Sequence, residues 1–373
     1  MGPLSGVKVI ELAGIGPGPM CAMLLADMGA TVLRVDRKEP VDLGNPRPLK
    51  YNLLLRNRRA IALDLKQRSS VDLVLDLVRG ADALIEGFRP KVVERLGLGP
   101  DECLARNPRL VYGRMTGWGQ TGPMANAAGH DVNYIALTGA LHAIGRKGQP
   151  PTLPLNLLGD YVGGSLYLAV GLLAGILEAR QSGKGQVVDA AIVDGTASQM
   201  TSFFGRHAAG MMSFERGTNS FDSGAYYYDV YQCADGLWVS VAPIEKRFRE
   251  QFMSLMGIEA PAEGWDRAAD GIRAALERRF RTRTRDEWCK VLEGTDSCFA
   301  PVLTLAEAPQ HAHLRERGTF IEIDGITQPA PAPRFSRTVP DRPTAPEEAN
   351  PARALEGWKT RAEIDALVAA GVV

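Results

Sequence analysis

The chain has 373 residues, more than one small hydrophobic core accommodates, so its length predicts two domains. Its 43 basic and 43 acidic residues balance, which argues against bulk electrostatic binding of nucleic acid or of an anionic membrane. An anionic ligand must therefore be held by local basic residues. The five cysteines show no C-x-x-C spacing, so they predict reduced thiols of an intracellular protein and no zinc framework.

The composition also predicts a cytoplasmic protein that does not enter a membrane. The N-terminus leads almost at once into an apolar strand and shows no signal-peptide pattern. The segment Tyr161–Leu177 is apolar, but it is short for a bilayer, contains glycines and is followed by Arg180 and Lys184. We therefore expect this segment to be a buried core helix.

In the first half of the chain, short apolar runs alternate with helical patterns. The predicted strands are Val7–Ala13, Thr31–Asp36, Ala60–Leu65, Ala83–Phe88, Leu110–Met115 and Gln186–Ile192. The predicted helices are Pro19–Met28, Ser70–Arg79 and Tyr161–Ala179. This alternation predicts an α/β fold with a parallel, doubly wound, Rossmann-like sheet, whose ligands bind at the carboxyl ends of the strands.

The second half predicts a smaller α+β domain. A helix rich in Met and Phe follows the last strand, and residues 213–224 are polar and Gly-rich, as in a linker. The elements predicted next are a hairpin of Tyr228–Cys233 and Leu237–Ala242 and helices at Lys246–Met256, Arg267–Phe280 and Arg285–Leu292. A Pro-rich strap (328–351) precedes a last helix that Thr360 caps. We expect a large domain of 1–212 joined by 325–373, and a small domain of 225–324.

The glycines after the first strand argue against a dinucleotide site. Gly14, Gly16 and Gly18 stand at every second position, and Pro19 occupies the place where G-x-G-x-x-G requires its third glycine. Nicotinamide and flavin binding are therefore not expected. Arg37, at the end of the second strand, instead suits a phosphate on an adenosine ribose.

Two short polar signatures, Gly129–Tyr134 and Asn156–Tyr161, each place an ionisable side chain where a helical pattern begins. A helix N-terminus favours an anion or oxyanion beside it. Taken alone, Asp160 is typical of an N-cap, and His130 of a structural histidine. Together, the histidine and the carboxylate predict two groups that flank one reacting carbon.

Thr116–Pro123, followed by Gly129-His130-Asp131, resembles the family III CoA-transferase superfamily of the CaiB/BaiF type. Within it, the sequence is similar to the branch of the α-methylacyl-CoA racemases. The ordered likeness covers nearly the whole chain, through Gly2–Gly6, Glu11–Pro19, Leu55–Arg59, Asp64–Lys66, Glu86–Pro90, Glu94–Pro100, Gly183–Ala190 and Ala332–Thr338.

The resemblance implies a homodimer of two interlocked rings that acts on acyl-CoA, with CoA as part of the substrate and with no further cofactor and no metal. It implies that His130 and Asp160 are opposed bases and that Glu245 hydrogen-bonds the aspartate. Met20 stands where such racemases often carry histidine, which leaves the acyl preference open. The positions that match the CoA site are Arg37, Leu63, Asp64, Leu65, Lys66, Gly87, Phe88, Arg89, Arg95, Gly129 and Tyr134.

The chemistry agrees with this reading. Racemisation next to a thioester carbonyl needs proton removal on one face of the carbon and proton return on the other. Histidine suits that task, and a carboxylate suits it when desolvation or a neighbouring carboxylate raises its pKa. The backbone N–H of Asp131, at a helix start, would stabilise the enolate oxygen.

Two alternatives remain open. In a CoA transferase of the same superfamily, Asp160 would be a nucleophile that forms an acyl anhydride. Against it, His130 and Glu245 are present, and the Gly-rich loop typical of such transferases is not found in the middle segment. The other alternative is a non-catalytic CoA-binding protein, which both bases argue against. The acyl chain stays open among a branched fatty acid, a sterol side chain and an aryl propionate.

Overall fold

The computed structural model describes residues 2–39, 44, 47–259, 261, 264 and 269–373. The chain divides into two compact units. The first comprises Met1–Thr138, Leu155–Met200 and Phe320–Val373, and the second comprises Gly139–Pro154 and Thr201–Thr319. The domain boundaries given above stay predictions.

Strands form three sheets in the described residues. The strands are β1 (Lys8–Leu12), β2 (Thr31–Arg37), β3 (Arg59–Leu63), β4 (Ala83–Glu86), β5 (Val111–Thr116), β6 (Gln186–Ala191), β7 (Asp229–Gln232), β8 (Trp238–Val241), β9 (Phe299–Pro301), β10 (Phe320–Ile323) and β11 (Ile326–Pro329). The first six form one parallel sheet in the order β3-β2-β1-β4-β5-β6. The predicted α/β class with a parallel sheet is confirmed.

The α-helices, in chain order, are α1 (Pro17–Asp27), α2 (Arg68–Val78), α3 (Val92–Leu96), α4 (Pro100–Arg106), α5 (Asp131–Leu137), α6 (Ala140–Ala143), α7 (Tyr167–Ser182), α8 (Ile192–Gln199), α9 (Thr201–Ala208), α10 (Lys246–Met256), α11 (Ala269–Phe280), α12 (Arg285–Leu292), α13 (Ala312–Glu316), α14 (Pro351–Ala354) and α15 (Arg361–Ala369). A π-helical segment, Leu157–Leu166, runs directly into α7. Short 3₁₀ turns lie at Leu49–Tyr51, Leu53–Leu55 and Ala308–Gln310.

Two apolar clusters explain why the strands of the large sheet read as continuous apolar runs. Ile10 and Leu84 belong to one cluster, and their strand neighbours Val9 and Ala83 belong to the other. Side chains alternate between the faces of a strand, so β1 and β4 are covered on both faces, as in doubly wound folds. The strand order reverses between β1 and β4, which is where such sheets bind their ligands.

The long apolar helix begins earlier than predicted. The predicted start was Tyr161, but the helix begins at Leu157, directly after Asn156. Asp160 therefore lies inside the π segment, and the interpretation of its side chain as an N-cap is wrong. The reason is that Leu157 and Leu158 continue the apolar pattern, and wide helical turns extend the helix over them.

The same helix is only partly buried. Leu168 and Leu172 of α7 are fully buried, whereas Val170 and Leu177 are 67% and 63% exposed. By length and composition alone, Leu157–Ser182 could cross a membrane, and half of its apolar window is buried. A helix of this kind is weak evidence for a membrane span, since core helices pass the same test. The expectation of a buried core helix holds for one face.

The second unit packs α10, α11 and α12 with an antiparallel sheet of β7, β8 and β9. Its core is aromatic: the rings of Tyr231 and Trp288 pack against Phe280 with centroids 5.2 and 5.3 Å away. The predicted hairpin is present, but β9 was not predicted. The predicted helix start at Arg267 lies outside the described residues.

Candidate active site

A cavity of about 870 Å³ lies within the first unit. Leu12, Ile85 and Met115, which stand at the carboxyl ends of β1, β4 and β5, contribute to its wall. Both predicted bases, His130 and Asp160, line this cavity. The cavity therefore occupies the position that the sheet topology predicts for a ligand.

His130 is placed by the turn that precedes α5. Its backbone N–H donates to Asn133 Oδ1 over 3.0 Å, and its side chain is exposed. The Tyr134 hydroxyl donates to the Gly129 carbonyl. A Cβ on Gly117 would lie 2.0 Å from the Tyr134 ring, so only glycine leaves room for that ring. Local contacts thus shape the turn while the imidazole itself stays open to the cavity.

Asp160 is held by several neighbours. Its backbone N–H donates to Asp131 Oδ2 over 2.7 Å, and Asn156 Nδ2 donates to Asp160 Oδ2 over 3.2 Å. Gly16, with φ of 64°, faces the same oxygen: a Cβ built on it would lie 3.1 Å away. Gly16 directly precedes α1. In dinucleotide-binding folds the glycine turn at this place contacts a phosphate, whereas here it approaches a carboxylate.

The surroundings of Asp160 raise the pKa of its carboxyl group. Burial is the largest cause, and the Asn156 hydrogen bond acts in the opposite direction. The negative charge of Asp131 raises the pKa further, and His130 lowers it. A carboxyl group in such surroundings can hold and release a proton closer to neutral pH than one in water.

The predicted CoA-binding residues separate into two groups. Gly87, Phe88, Arg89, Gly129 and Tyr134 line the cavity, while Arg37, Leu63, Asp64, Leu65, Lys66 and Arg95 are not among its lining residues. Arg37 nevertheless borders this wall, because its guanidinium lies 5.6 Å from the centre of the Phe88 ring.

The remaining predicted positions are not among the residues that line the cavity. Asp64 Oδ1 accepts the Lys66 N–H over 3.0 Å in the turn after β3, and Arg95 is exposed on α3. Met20, in α1, is half-buried and does not line the cavity. Glu245 belongs to the second unit, is exposed and directly precedes α10.

Glu86 supports the cavity wall and was not predicted as a functional residue. It is fully buried, its Oε2 accepts the Phe88 N–H over 2.7 Å, and its Oε1 accepts Arg114 Nε over 3.0 Å. Burial raises its pKa to about 7, against the hydrogen bonds from Phe88 and Arg114. Glu86 thus fixes the loop that lines the cavity. The available signal was a carboxylate that ends an otherwise apolar strand.

Two further basic side chains, Arg34 and Arg47, line the cavity and were also missed. Arg34 forms an ion pair with Asp36 over 2.5 Å. Neither residue belongs to one of the sequence motifs that indicated a ligand site. Within the described part of the chain, no group of three or more His, Cys, Asp or Glu residues could hold a metal ion.

Comparison with known proteins gives a consistent result. The family model of CoA-transferase family III matches residues 4–354. The α-methylacyl-CoA racemase of Mus musculus is 42% identical over 340 residues, covering 90% of this chain and 87% of the relative. The racemase of the same name from Homo sapiens is 40% identical over 336 residues, with 88% and 86% covered. A solved CaiB/BaiF family protein from Brucella suis is 26% identical with a TM-score of 0.82, covering 98% of this chain and 100% of that chain.

Proposed function

The chain belongs to CoA-transferase family III, and on this premise we propose that it is a racemase that interconverts the 2R and 2S forms of a 2-methylacyl-CoA thioester. The observation that carries the proposal is the pair of His130 and Asp160 in one cavity, beside the likeness to α-methylacyl-CoA racemases. The enzyme is an isomerase that needs no oxidation or reduction of its substrate.

In the proposed mechanism, one base removes the α-proton while the conjugate acid of the other returns a proton to the opposite face. The thioester oxygen carries the charge of the enolate between these steps, and the backbone N–H of Asp131 stabilises it. Such a donor is typically worth about 3 kcal/mol. The surroundings that raise the pKa of Asp160 support its role as a group that must both accept and donate a proton.

The CoA part of the substrate would extend from the cavity along Gly87–Arg89, with Arg37 on the ribose phosphate. Substituting Arg37→Ala should weaken acyl-CoA far more than acyl-dephospho-CoA, because a charge-assisted contact to phosphate is lost. Equal losses for both ligands, measured as dissociation constants, would remove Arg37 from this role.

We further propose a cytoplasmic homodimer with interlocked subunits, in which the partner subunit's Glu245 completes each site. The exposed apolar side chains on α7, such as Val170 and Leu177, support a partner that covers this face. Co-expressed His130→Ala and Glu245→Gln chains should regain activity toward half of the native level in purified mixed dimers. Mixed dimers as inactive as the parents would contradict the shared site.

The reaction type is tested by incubating the protein in D₂O with 2-methylacyl-CoA thioesters and following the α-position by NMR. We expect deuterium incorporation and loss of optical purity without any acceptor acid. A protein that leaves the α-proton in place and moves CoA between two carboxylic acids is instead a transferase.

A further inference from the structure

We propose that Asp131 and Ser165 are positioning residues that clamp the backbone of Asp160 from both sides and so fix where its carboxyl group meets the substrate. The inference rests on the proposed racemase function and deepens it. Neither side chain needs to touch the substrate, since both act through Asp160.

The first half of the clamp holds the Asp160 N–H. Asp160 lies in the first turn of the π segment, where backbone N–H groups have no partner within the helix. Asp131 is 6% exposed, and its Oδ2 accepts this N–H over 2.7 Å. A Cβ on Gly159 would lie 2.5 Å from that same oxygen, so the glycine makes room for the carboxylate.

Asp131 is held at a cost, since its Oδ1 is buried and accepts no hydrogen bond from the described residues. A buried carboxylate with one oxygen unsatisfied is destabilising unless it serves another purpose. Because its bonded oxygen contacts the Asp160 backbone, we assign that purpose to the placement of Asp160.

The second half of the clamp holds the Asp160 carbonyl. Ser165 is fully buried, and its Oγ lies 3.0 Å from the Asp160 carbonyl oxygen and 2.8 Å from that of Pro17. Pro17 begins α1, directly after Gly16, and a Cβ built on Gly16 would lie 3.1 Å from the Asp160 carboxylate. The hydroxyl has one hydrogen, which these two carbonyl oxygens share as acceptors, so Ser165 lies between the backbone of Asp160 and the turn that faces its side chain.

The clamp predicts a loss in turnover more than in binding. Asp131→Ala and Ser165→Ala should each lower kcat by roughly tenfold to 100-fold, the cost of misplacing a reacting group by about 1 Å, with KM changed less than about threefold. Matched controls are Asp101→Ala, exposed in the first turn of α4, and Ser182→Ala, exposed at the end of α7. Both controls should retain the native kcat.

Asp131→Asn separates position from charge, because the amide oxygen can still accept the Asp160 N–H. The ionisable groups that face Asp160 are Asp131, His130 and Tyr134. Removing the charge of Asp131 removes a contribution that raises the pKa of Asp160. The acidic limb of the pH–rate profile should therefore move to lower pH, while kcat on the plateau stays within about threefold of native.

The outcomes distinguish the two proposals. Native protein without α-proton exchange overturns the racemase function itself. Native protein that exchanges normally, with Asp131→Ala and Ser165→Ala equally active, overturns the clamp alone. Circular dichroism and Tm report folding; if Asp131→Ala does not fold, Asp131→Asn and Ser165→Ala decide, and an unmoved acidic limb together with native turnover in Ser165→Ala rejects the inference.

Discussion

Asp160 and His130 line the same cavity, but the chain holds them in different ways. Asp160 is half-buried, and its backbone and carboxyl group contact Asp131, Ser165 and Asn156. His130 has an exposed side chain, and the bonds of its turn are made by backbone and by neighbouring side chains. The difference corresponds to what each group would need for the proposed proton transfer.

An imidazole in water already titrates near neutral pH, whereas a carboxyl group in water has lost its proton well below it. A protein that uses both in one reaction must therefore alter the surroundings of the carboxyl group more. Burial of Asp160 beside a second carboxylate achieves this, and it requires rigid support that an exposed histidine does not require. The placement and pKa of the Asp160 carboxyl group therefore depend on the surrounding fold more than those of an exposed side chain would.

The largest effect on activity is expected when either of the two proposed bases is removed. His130→Ala and Asp160→Ala should each lower racemisation by at least about 100-fold, the scale of a lost general acid–base group. Binding of CoA, measured by calorimetry, should change little because neither side chain is proposed to hold it. A covalent adduct on Asp160 trapped by hydroxylamine or borohydride in the native enzyme would contradict the proton-transfer role.

A smaller effect on turnover is expected from a substitution at Gly16, which lies next to the Asp160 carboxylate. Gly16→Ala places a methyl group 3.1 Å from Asp160 Oδ2 at a φ of 64°, so kcat should fall about tenfold as the carboxylate shifts. Gly6→Ala is the matched control, because its φ is 86° and nothing lies within 4 Å of the added carbon.

Both glycine variants should lose stability to backbone strain, about 1 kcal/mol each. Only Gly16→Ala should lose turnover. If both variants lose turnover equally, strain explains the effect, and the contact between Gly16 and Asp160 is unimportant.

The smallest expected effect is on stability alone. It comes from Glu86, a buried carboxyl group that, unlike that of Asp160, is hydrogen-bonded to an arginine. Glu86 is fully buried, whereas Asp160 is half-buried. Glu86 faces Arg114, and burial raises its pKa to about 7 in spite of the hydrogen bonds from Phe88 and Arg114. The folded state therefore binds more protons than the unfolded state between the two pKa values. Stability should fall as pH rises from about 4.5 to about 7, and Glu86→Gln should not show this fall.

Glu94, the other carboxylate bonded to Arg114, provides the control of opposite sign. Burial is the largest single cause and acts to raise its pKa, but the Arg114 hydrogen bond, a backbone hydrogen bond and the charges of Arg114 and Arg95 together lower the pKa. Glu94 should stabilise the native protein above the pKa of the unfolded state, and this contribution should be lost as pH falls. Thermal unfolding at several pH values gives both slopes; equal slopes for Glu86→Gln and Glu94→Gln would contradict the assignment.

Much of the fold could be predicted from the sequence because its strands are buried on both faces. Val7–Ala13 and Ala83–Phe88 read as strands since apolar runs of that length, between glycine turns, have few other solutions. The short strand β9 (Phe299–Pro301) and the hairpin of β10 and β11 were missed. They have three or four residues each, and a half-exposed strand of that length carries little pattern.

The two residues proposed as bases could be selected from the sequence, but the contacts that support them could not. His130 and Asp160 were found because each stands in a short polar signature beside an apolar helix. The bond from Asp160 to Asp131 joins residues 29 positions apart, and no local pattern specifies it. The π-helical turns were missed for a related reason, since Gly163 and Gly164 pack tightly against Thr196 and Pro17, which are distant in sequence.

The most direct test of the two-base account uses single enantiomers in D₂O with one base removed at a time. Each variant keeps the base on one face, so it should still exchange the α-proton of one enantiomer without inverting it. Asp160→Ala and His130→Ala should therefore prefer opposite enantiomers when α-deuteration is followed by NMR. Exchange of the same enantiomer by both variants would show that the two residues do not serve opposite faces of the carbon.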